Sequence, residues 1–226
     1  MGKLQSRIDF ILKHAKGRVL HVGGGASFLH LVLLHELRER LYCLDIMDFS
    51  NVYPRFTQAN AENMPFQEKL FDTVLLPDVV MHVKDLRKVL FECKRILKDD
   101  GFLVVTIPNF GSFWNRIVGT YGETWQKHLV KRLAGLGKPN SDFATAYVYQ
   151  RTTTLDNTLG WLESVGFEIV DFDFTFQGDD LGAAFVQEGV NLQRGWVMDL
   201  RYLLCKLVPK KFREEIVLVF RKKNGG

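Results

Sequence analysis

Three consecutive glycines, Gly23, Gly24 and Gly25, follow the short β-like run Arg18–Val22 and precede a stretch of helical pattern that begins at Phe28. Glycine is needed where a backbone turns sharply and where a ligand must approach without a Cβ in the way. A plain strand-to-helix turn needs fewer of them. A ligand on such a turn sits at the carboxyl ends of parallel strands, beside a helix N-terminus. Asp45 lies about 20 residues further on, the spacing at which an acid accepts ribose hydroxyls; the alternative is an ordinary solvated acid at a strand end. The dinucleotide fingerprint asks for Gly or Ala at its sixth place, and Phe28 stands there, where a ring obstructs close helix–strand packing. That counts against a dinucleotide but not against a nucleoside, which has no pyrophosphate to cradle. No Gly-Lys-Ser/Thr follows the glycines, so the turn is not a P-loop.

The elements around these residues can be read from periodicity. Leu4, Ile8, Ile11 and Leu12 have helical spacing over residues 4–15. Phe28–Arg40 reads as a helix with Leu29, Leu33, Leu34 and Leu37 on one side. Leu41–Ile46, Phe56–Ala59, Thr73–Leu76 (entered through Phe71-Asp72) and Phe102–Ile107 read as strands. Leu86–Leu97 reads as a helix closed by Lys98–Gly101, with Gly101 in the left-handed stop. Leu155–Val165 is a further helix, followed by the strands Phe167–Phe174 and Ile216–Phe220. Strands alternating with helices predict an α/β fold, a parallel sheet covered on both faces. Two stretches break the rhythm and read as inserts in a single domain over 1–226, at about 109–151 and 182–208.

Composition narrows the function classes. The net charge of +4 is mild, and no Lys/Arg block resembles a nucleic-acid arm. The cluster Arg221-Lys222-Lys223 reads as solvating the terminus. Cys43, Cys93 and Cys205 are widely spaced, with no C-x-x-C pair, which indicates neither a zinc site nor a disulfide framework. Cys43 and Cys93 read as small core residues. His30 and His35 are five apart, off a common helix face, so no metal site is expected. The start, Met1–Ser6, matches the bare myristoylation pattern, which arises easily by chance. No stretch has a signal-peptide make-up or the length to span a bilayer, so a cytoplasmic location is expected.

The run "QANAENMPFQEKLFDTVLLPDVVMHVKDLRKVLFECKRILKDDGFLVVTIPN" carries several ordered motifs. An Asn-Ala-Glu precedes "-x-hydrophobic-Pro-Phe", and "Phe-Asp" opens a strand. Then come a "His-hydrophobic-x-Asp" turn and a helix ending near a glycine. From Arg18 to Asn109 the chain resembles class I S-adenosylmethionine-dependent methyltransferases, especially the branch that acts on small molecules and lipids. Leu155–Phe174 and Ile216–Lys222 resemble the family's closing elements more loosely. The resemblance implies a Rossmann-like sheet, mostly parallel with an antiparallel last strand, and helices on both faces. It implies that Gly23 and Gly25, with Gly24 between them, pass the methionine part of the donor. It places Asp45 on the ribose and Ile46 against the adenine ring. Asn60 and Ala61 match the pair at the adenine edge, followed by Glu62, and Pro77 marks backbone that touches the donor. His82 lies near the reacting side, or else caps or packs a helix. The chain departs from the family where His21 replaces an acid that helps place the donor's amino group, where Ser27 replaces a small glycine, and at Met81.

The function expected is methyl transfer from S-adenosyl-L-methionine to a small-molecule or lipid-like acceptor, with S-adenosyl-L-homocysteine as product. The alternative is a non-catalytic binding or scaffold domain of the same fold. His82 and His128 are candidate bases, and Tyr121 and Trp125 either line an acceptor pocket or pack the first insert down. In the second insert, Trp196–Val208 has Trp196, Leu200, Leu203, Leu204 and Leu207 on one helical face, edged by cations. That suits either peripheral membrane contact or packing on the protein itself.

Overall fold

The computed structural model describes residues 7–25, 28–109, 155–175 and 215–223. In chain order these form α1 (Arg7–His14), β1 (Val19–Val22), α2 (Phe28–Leu37), β2 (Leu41–Asp45), β3 (Phe56–Gln58) and β4 (Phe71–Leu76). They continue with α3 (Leu86–Ile96), β5 (Leu97–Pro108), α4 (Leu155–Val165), β6 (Phe167–Thr175) and β7 (Glu215–Lys222). The strands make one sheet in the order β3-β2-β1-β4-β5-β7-β6. All are parallel except β7, which runs antiparallel to both β5 and β6. The expected sheet, mostly parallel with an antiparallel last strand, is the one observed.

Strand alternation divides the core in two. Leu20, Val22, Leu44, Val74, Leu76, Leu103 and Val105 pack with α3 and α4 on one face. Val19, Leu41, Leu75, Val104, Val217 and Val219 pack with α1 and α2 on the other. A strand buried on both faces has no polar side to show, which is why β1 is buried at every position. Helix α3 presents Leu86, Val89, Leu90, Cys93 and Ile96 to the sheet at 3–4-residue spacing, and the Asp85 carboxylate caps it by accepting the Lys88 N–H at 3.2 Å. Both Cys43 and Cys93 are buried, Cys93 within the apolar cluster under α3.

Several boundaries differ from expectation. Helix α2 stops at Leu37, and Arg38–Arg40 form a 3-10 turn in which Arg38 takes φ +47°. Gly101 does not provide a left-handed stop. The chain turns extended at Leu97 directly after α3, and Lys98–Gly101 bulge between the pairs Phe71–Leu97 and Thr73–Phe102. The cluster Arg221-Lys222-Lys223 is not a free terminus: β7 runs through Lys222, whose Nζ donates to the Leu97 carbonyl at 2.8 Å. The link between the parallel strands β2 and β3, residues 46–55, contains no helix, although such crossovers ordinarily carry one. Apart from Asn109, the expected inserts at 109–151 and 182–208 lie outside the described residues, as do Ser27, Tyr121, Trp125, His128, Trp196–Val208 and Cys205. No helix among the described residues is long and apolar enough to cross a membrane.

One charged group fixes the first helix to the carboxyl edge of the sheet. Arg7, 3% exposed, donates to Asp78 just beyond β4 at 2.8 Å and pairs with Glu215 at the start of β7 at 3.0 Å. Glu215 is equally buried and accepts the Thr175 hydroxyl at 3.1 Å. Removing one partner of a buried ion pair leaves a charge without compensation, which costs about 3–5 kcal/mol. Arg7→Met is therefore expected to destabilise the protein by roughly 3 kcal/mol in urea denaturation, chiefly through Glu215. Glu215→Gln in the same background should recover part of that loss; no recovery would remove the buried-charge explanation.

Candidate functional site

Strands β1, β2 and β4 end side by side, and the glycine turn leaves β1 between its two neighbours. The Gly23 N–H donates to the Leu44 carbonyl at 2.7 Å, so the turn begins as an extension of the β1–β2 ladder. It then needs left-handed backbone, with φ +69° at Gly23 and +38° at Gly25. A side chain at Gly23 would be strained by that angle and would also meet Val79 Cγ2 at 2.5 Å. The loop after β4 thus rests directly on the turn. Gly24 is buried. A Cβ on Gly25 would lie 3.0 Å from Asp45 Oδ2 and 3.6 Å from the Phe49 ring, so the third glycine admits the acid and the ring to its backbone.

Asp45 closes β2. Burial pushes its carboxyl above the ordinary carboxylate range, against the N–H groups of Met47, Gly25 and Ile46, which favour the charged form. The Met47 N–H reaches Oδ1 at 2.9 Å. Cys43 sits two residues earlier on the same strand, and burial pushes its thiol up to about 12, with the Asp45 charge adding to the shift and the Gly24 and Gly25 N–H groups opposing it. Ile46, next to the acid, leaves 63% of its side chain exposed, an apolar surface at the rim of the site. The Ile46 carbonyl accepts from Gln58 Nε2 at 3.1 Å, and the Asp45 carbonyl accepts the Ala59 N–H at 2.9 Å, which brings the segment after β3 alongside.

That segment holds Asn60, Ala61 and Glu62. The exposed Asn60 uses its Oδ1 to accept the Glu62 N–H at 2.9 Å, an Asx turn. Ala61 packs partly against the core. The Glu62 carboxylate accepts the Asp85 N–H at 2.9 Å and so holds the N-terminus of α3. Beyond β4, Pro77 is buried and Asp78 takes φ +56°. The Asp78 N–H donates to Thr106 Oγ1 at 2.9 Å, and the Thr106 hydroxyl donates back to Asp78 Oδ1 at 3.1 Å. Met81 is half-buried. His82 donates its N–H to the Val79 carbonyl at 2.9 Å, and burial lowers the pKa of its ring while the nearby Asp78 carboxylate opposes the shift. His21 is wholly buried within β1.

The structure therefore brings Gly23, Gly24, Gly25, Asp45 and Ile46 together on one rim, with Asn60 and Ala61 beside them and the Pro77–His82 loop across the turn. Sequence reasoning passes over Tyr53, Phe49, Arg7 and Asp78. Tyr53 donates its hydroxyl to the Gly25 carbonyl. Its one signal is the close run of aromatics, Phe49, Tyr53 and Phe56, after Asp45. Arg7 carries no comparable signal, since an arginine at a helix start is ordinary.

Two glycine substitutions separate conformational need from mere presence. Gly23→Val should cost about 2 kcal/mol or more in chemical denaturation, from the left-handed angle and the Val79 overlap. Gly160→Ala, in α4 with nothing within 4 Å of the added Cβ, should be neutral or stabilise by about 0.5–1 kcal/mol. Equal effects of the two would show that the turn is not constrained as described.

Comparison with known proteins adds to this geometry. Residues 20–105 match the model of the family described as Methyltransferase domain. A demethylmenaquinone methyltransferase of Thermotoga maritima is 33% identical over 122 residues, covering 50% of this chain and 50% of that protein. The chain spans about half the length of the curated relatives it matches. Among solved structures, a SAM-dependent methyltransferase from Archaeoglobus fulgidus superposes with a TM-score of 0.60 at 17% identity, over 96% of this chain and 91% of that one. The [4+2]-cyclase SpnF superposes with a TM-score of 0.57 at 17% identity, over 96% of this chain and 80% of that one. These likenesses speak to fold. Over residues 20–105, which hold the glycine turn, Asp45 and the loop after β4, the chain is similar to the Methyltransferase domain family.

Proposed function

We propose that the chain binds S-adenosyl-L-methionine on the glycine turn and transfers its methyl group to a small-molecule or lipid-like acceptor, releasing S-adenosyl-L-homocysteine. The observation that carries this reading is Asp45, a half-buried acid at the end of β2 set against the backbone of Gly25 and flanked by the exposed Ile46. The residues present fit the nucleoside end of the donor. Asp45 accepts the ribose hydroxyls, Ile46 offers an apolar face to adenine, and Asn60 with Ala61 meets the adenine edge. Gly23, Gly24 and Gly25 leave the methionine part clear of side chains, and the backbone at Pro77 closes the opposite side.

The donor, when bound, supplies an electrophilic methyl group on a sulfonium centre, so the protein's main task is alignment. Where the acceptor must lose a proton, His82 is the candidate to take it. Burial holds its ring below the ordinary histidine value, so it is neutral, and able to accept, at neutral pH. An aromatic quinone precursor is one acceptor class that suits the reading, since the Thermotoga relative is named for demethylmenaquinone. Peripheral membrane contact would suit an acceptor of that kind.

A second reading is a domain of this fold that does not transfer methyl groups. It rests on His21, which replaces an acid of the family and is wholly buried. Fold does not dictate chemistry.

Calorimetry with S-adenosyl-L-homocysteine tests the donor site. Hydrogen bonds to a charged group are worth about 1.5–3 kcal/mol, so Asp45→Ala should weaken binding by about 10- to 150-fold with the protein still folded. Because the ribose hydroxyls donate to the ionised acid, affinity should be full at neutral pH and decline as the pH falls into the raised titration range of Asp45. Asp45→Asn should bind weakly with no such pH dependence. Unchanged affinity in folded Asp45→Ala would sink the ribose assignment, and binding without turnover on any acceptor would favour the second reading.

A further inference from the structure

The link between β2 and β3 carries two aromatic rings where a crossover helix would ordinarily stand, and a third opens β3. Phe49, Tyr53 and Phe56 pack on one another, with ring centroids 6.3 Å apart for Phe49–Tyr53, 6.1 Å for Phe49–Phe56 and 6.5 Å for Tyr53–Phe56. The backbone fixes them in place: the N–H groups of Val52 and Tyr53 both donate to the Phe49 carbonyl, at 2.9 and 3.1 Å. Tyr53 is 3% exposed, and its hydroxyl is the polar tip of this cluster, donating to the carbonyl of Gly25.

Gly25 is thereby held on both sides. Its N–H faces the Asp45 carboxylate and the Cys43 sulphur, and its carbonyl is taken by Tyr53. Fixing a glycine costs more conformational entropy than fixing any other residue. Asp45 can face a ligand in one orientation only if the turn it leans on stays in one conformation. Order established before binding is order that binding need not supply.

We propose that Tyr53 is a positioning residue of the donor site, whose hydroxyl locks the Gly25 carbonyl and so presents the glycine turn and Asp45 preorganised for the nucleoside. It touches no reacting atom. The cluster takes the place of the missing crossover helix as the support of the turn. This inference rests on the donor reading given above.

The test compares wild type, Tyr53→Phe and the control Tyr42→Phe. Tyr42 stands on the same strand as Asp45 but packs edge-on against Phe71, at 5.5 Å, away from the turn. Tyr53→Phe keeps the ring and loses one hydroxyl, so thermal stability should change little; should that variant be unfolded at the assay temperature, both readouts are taken for all three proteins at a lower temperature at which it is folded. Two readouts are taken: S-adenosyl-L-homocysteine affinity by calorimetry, and hydrogen exchange of the ligand-free glycine turn by mass spectrometry. Tyr53→Phe is expected to bind about tenfold more weakly, the worth of one hydrogen bond, and to exchange the turn amides faster, with Tyr42→Phe like wild type in both. Affinity equal to wild type overturns the role of Tyr53 while leaving the donor site standing, whatever the exchange shows. Absence of binding in wild type overturns the donor reading, and the role of Tyr53 with it.

Discussion

The left-handed backbone at the end of β1 is the constraint on which the rest of the site depends. Gly23 and Gly25 take positive φ angles that side chains resist, and in doing so they let two other segments close on the turn. Val79 comes in over Gly23 from the loop after β4, and the Asp45 carboxylate comes in over Gly25 from the end of β2. Parallel pairing of β1 with both neighbours makes this convergence unavoidable, because all three strands end at the same edge. The chemistry of the edge then follows from which residues happen to end each strand: an acid on β2, an exposed isoleucine after it, and a proline and an acid after β4.

The same edge is closed from below by charge. Arg7 joins the loop after β4 to the start of β7, and Thr106 holds Asp78 in a left-handed conformation that a non-glycine residue adopts only when its surroundings impose it. Asp78 immediately precedes Val79, so the helix at the start of the described chain is mechanically coupled to the residue that rests on Gly23. His82 lies on the same loop, and its ring is exposed to the field of the same carboxylate. An ion pair with so much buried surface gives weak net stability but a defined position, and position is what the loop requires.

Much of this was legible in the residues. The apolar runs of β1, β2, β4 and β5 and the 3–4 spacing in α3 made the sheet and its covering helices readable, because burial on two faces leaves no other pattern. The glycines were readable because the backbone angle restricts residue type, and Asp45 because an acid ends the second strand about 20 residues after them. The exchange of Gly101 from helix stop to bulge was not: its register is decided by pairing with β4, a non-local contact. Nor were Arg7–Glu215, whose partners lie at opposite ends of the chain, and Tyr53–Gly25, where a run of aromatics does not reveal which backbone group the tyrosine reaches. Glu62 is a further case. Its place in the Asn-Ala-Glu run says nothing of α3, yet its carboxylate accepts the Asp85 N–H at the N-terminus of that helix.

The central claim is that a nucleoside is held between the glycine turn and Asp45. A crystal structure of the protein with S-adenosyl-L-homocysteine addresses it most directly. Both ribose hydroxyls are expected within hydrogen-bond distance of the Asp45 carboxylate, with adenine against Ile46 and the amino-acid tail along Gly23–Gly25. Ligand bound elsewhere, or at this rim with the ribose turned away from Asp45, would contradict it.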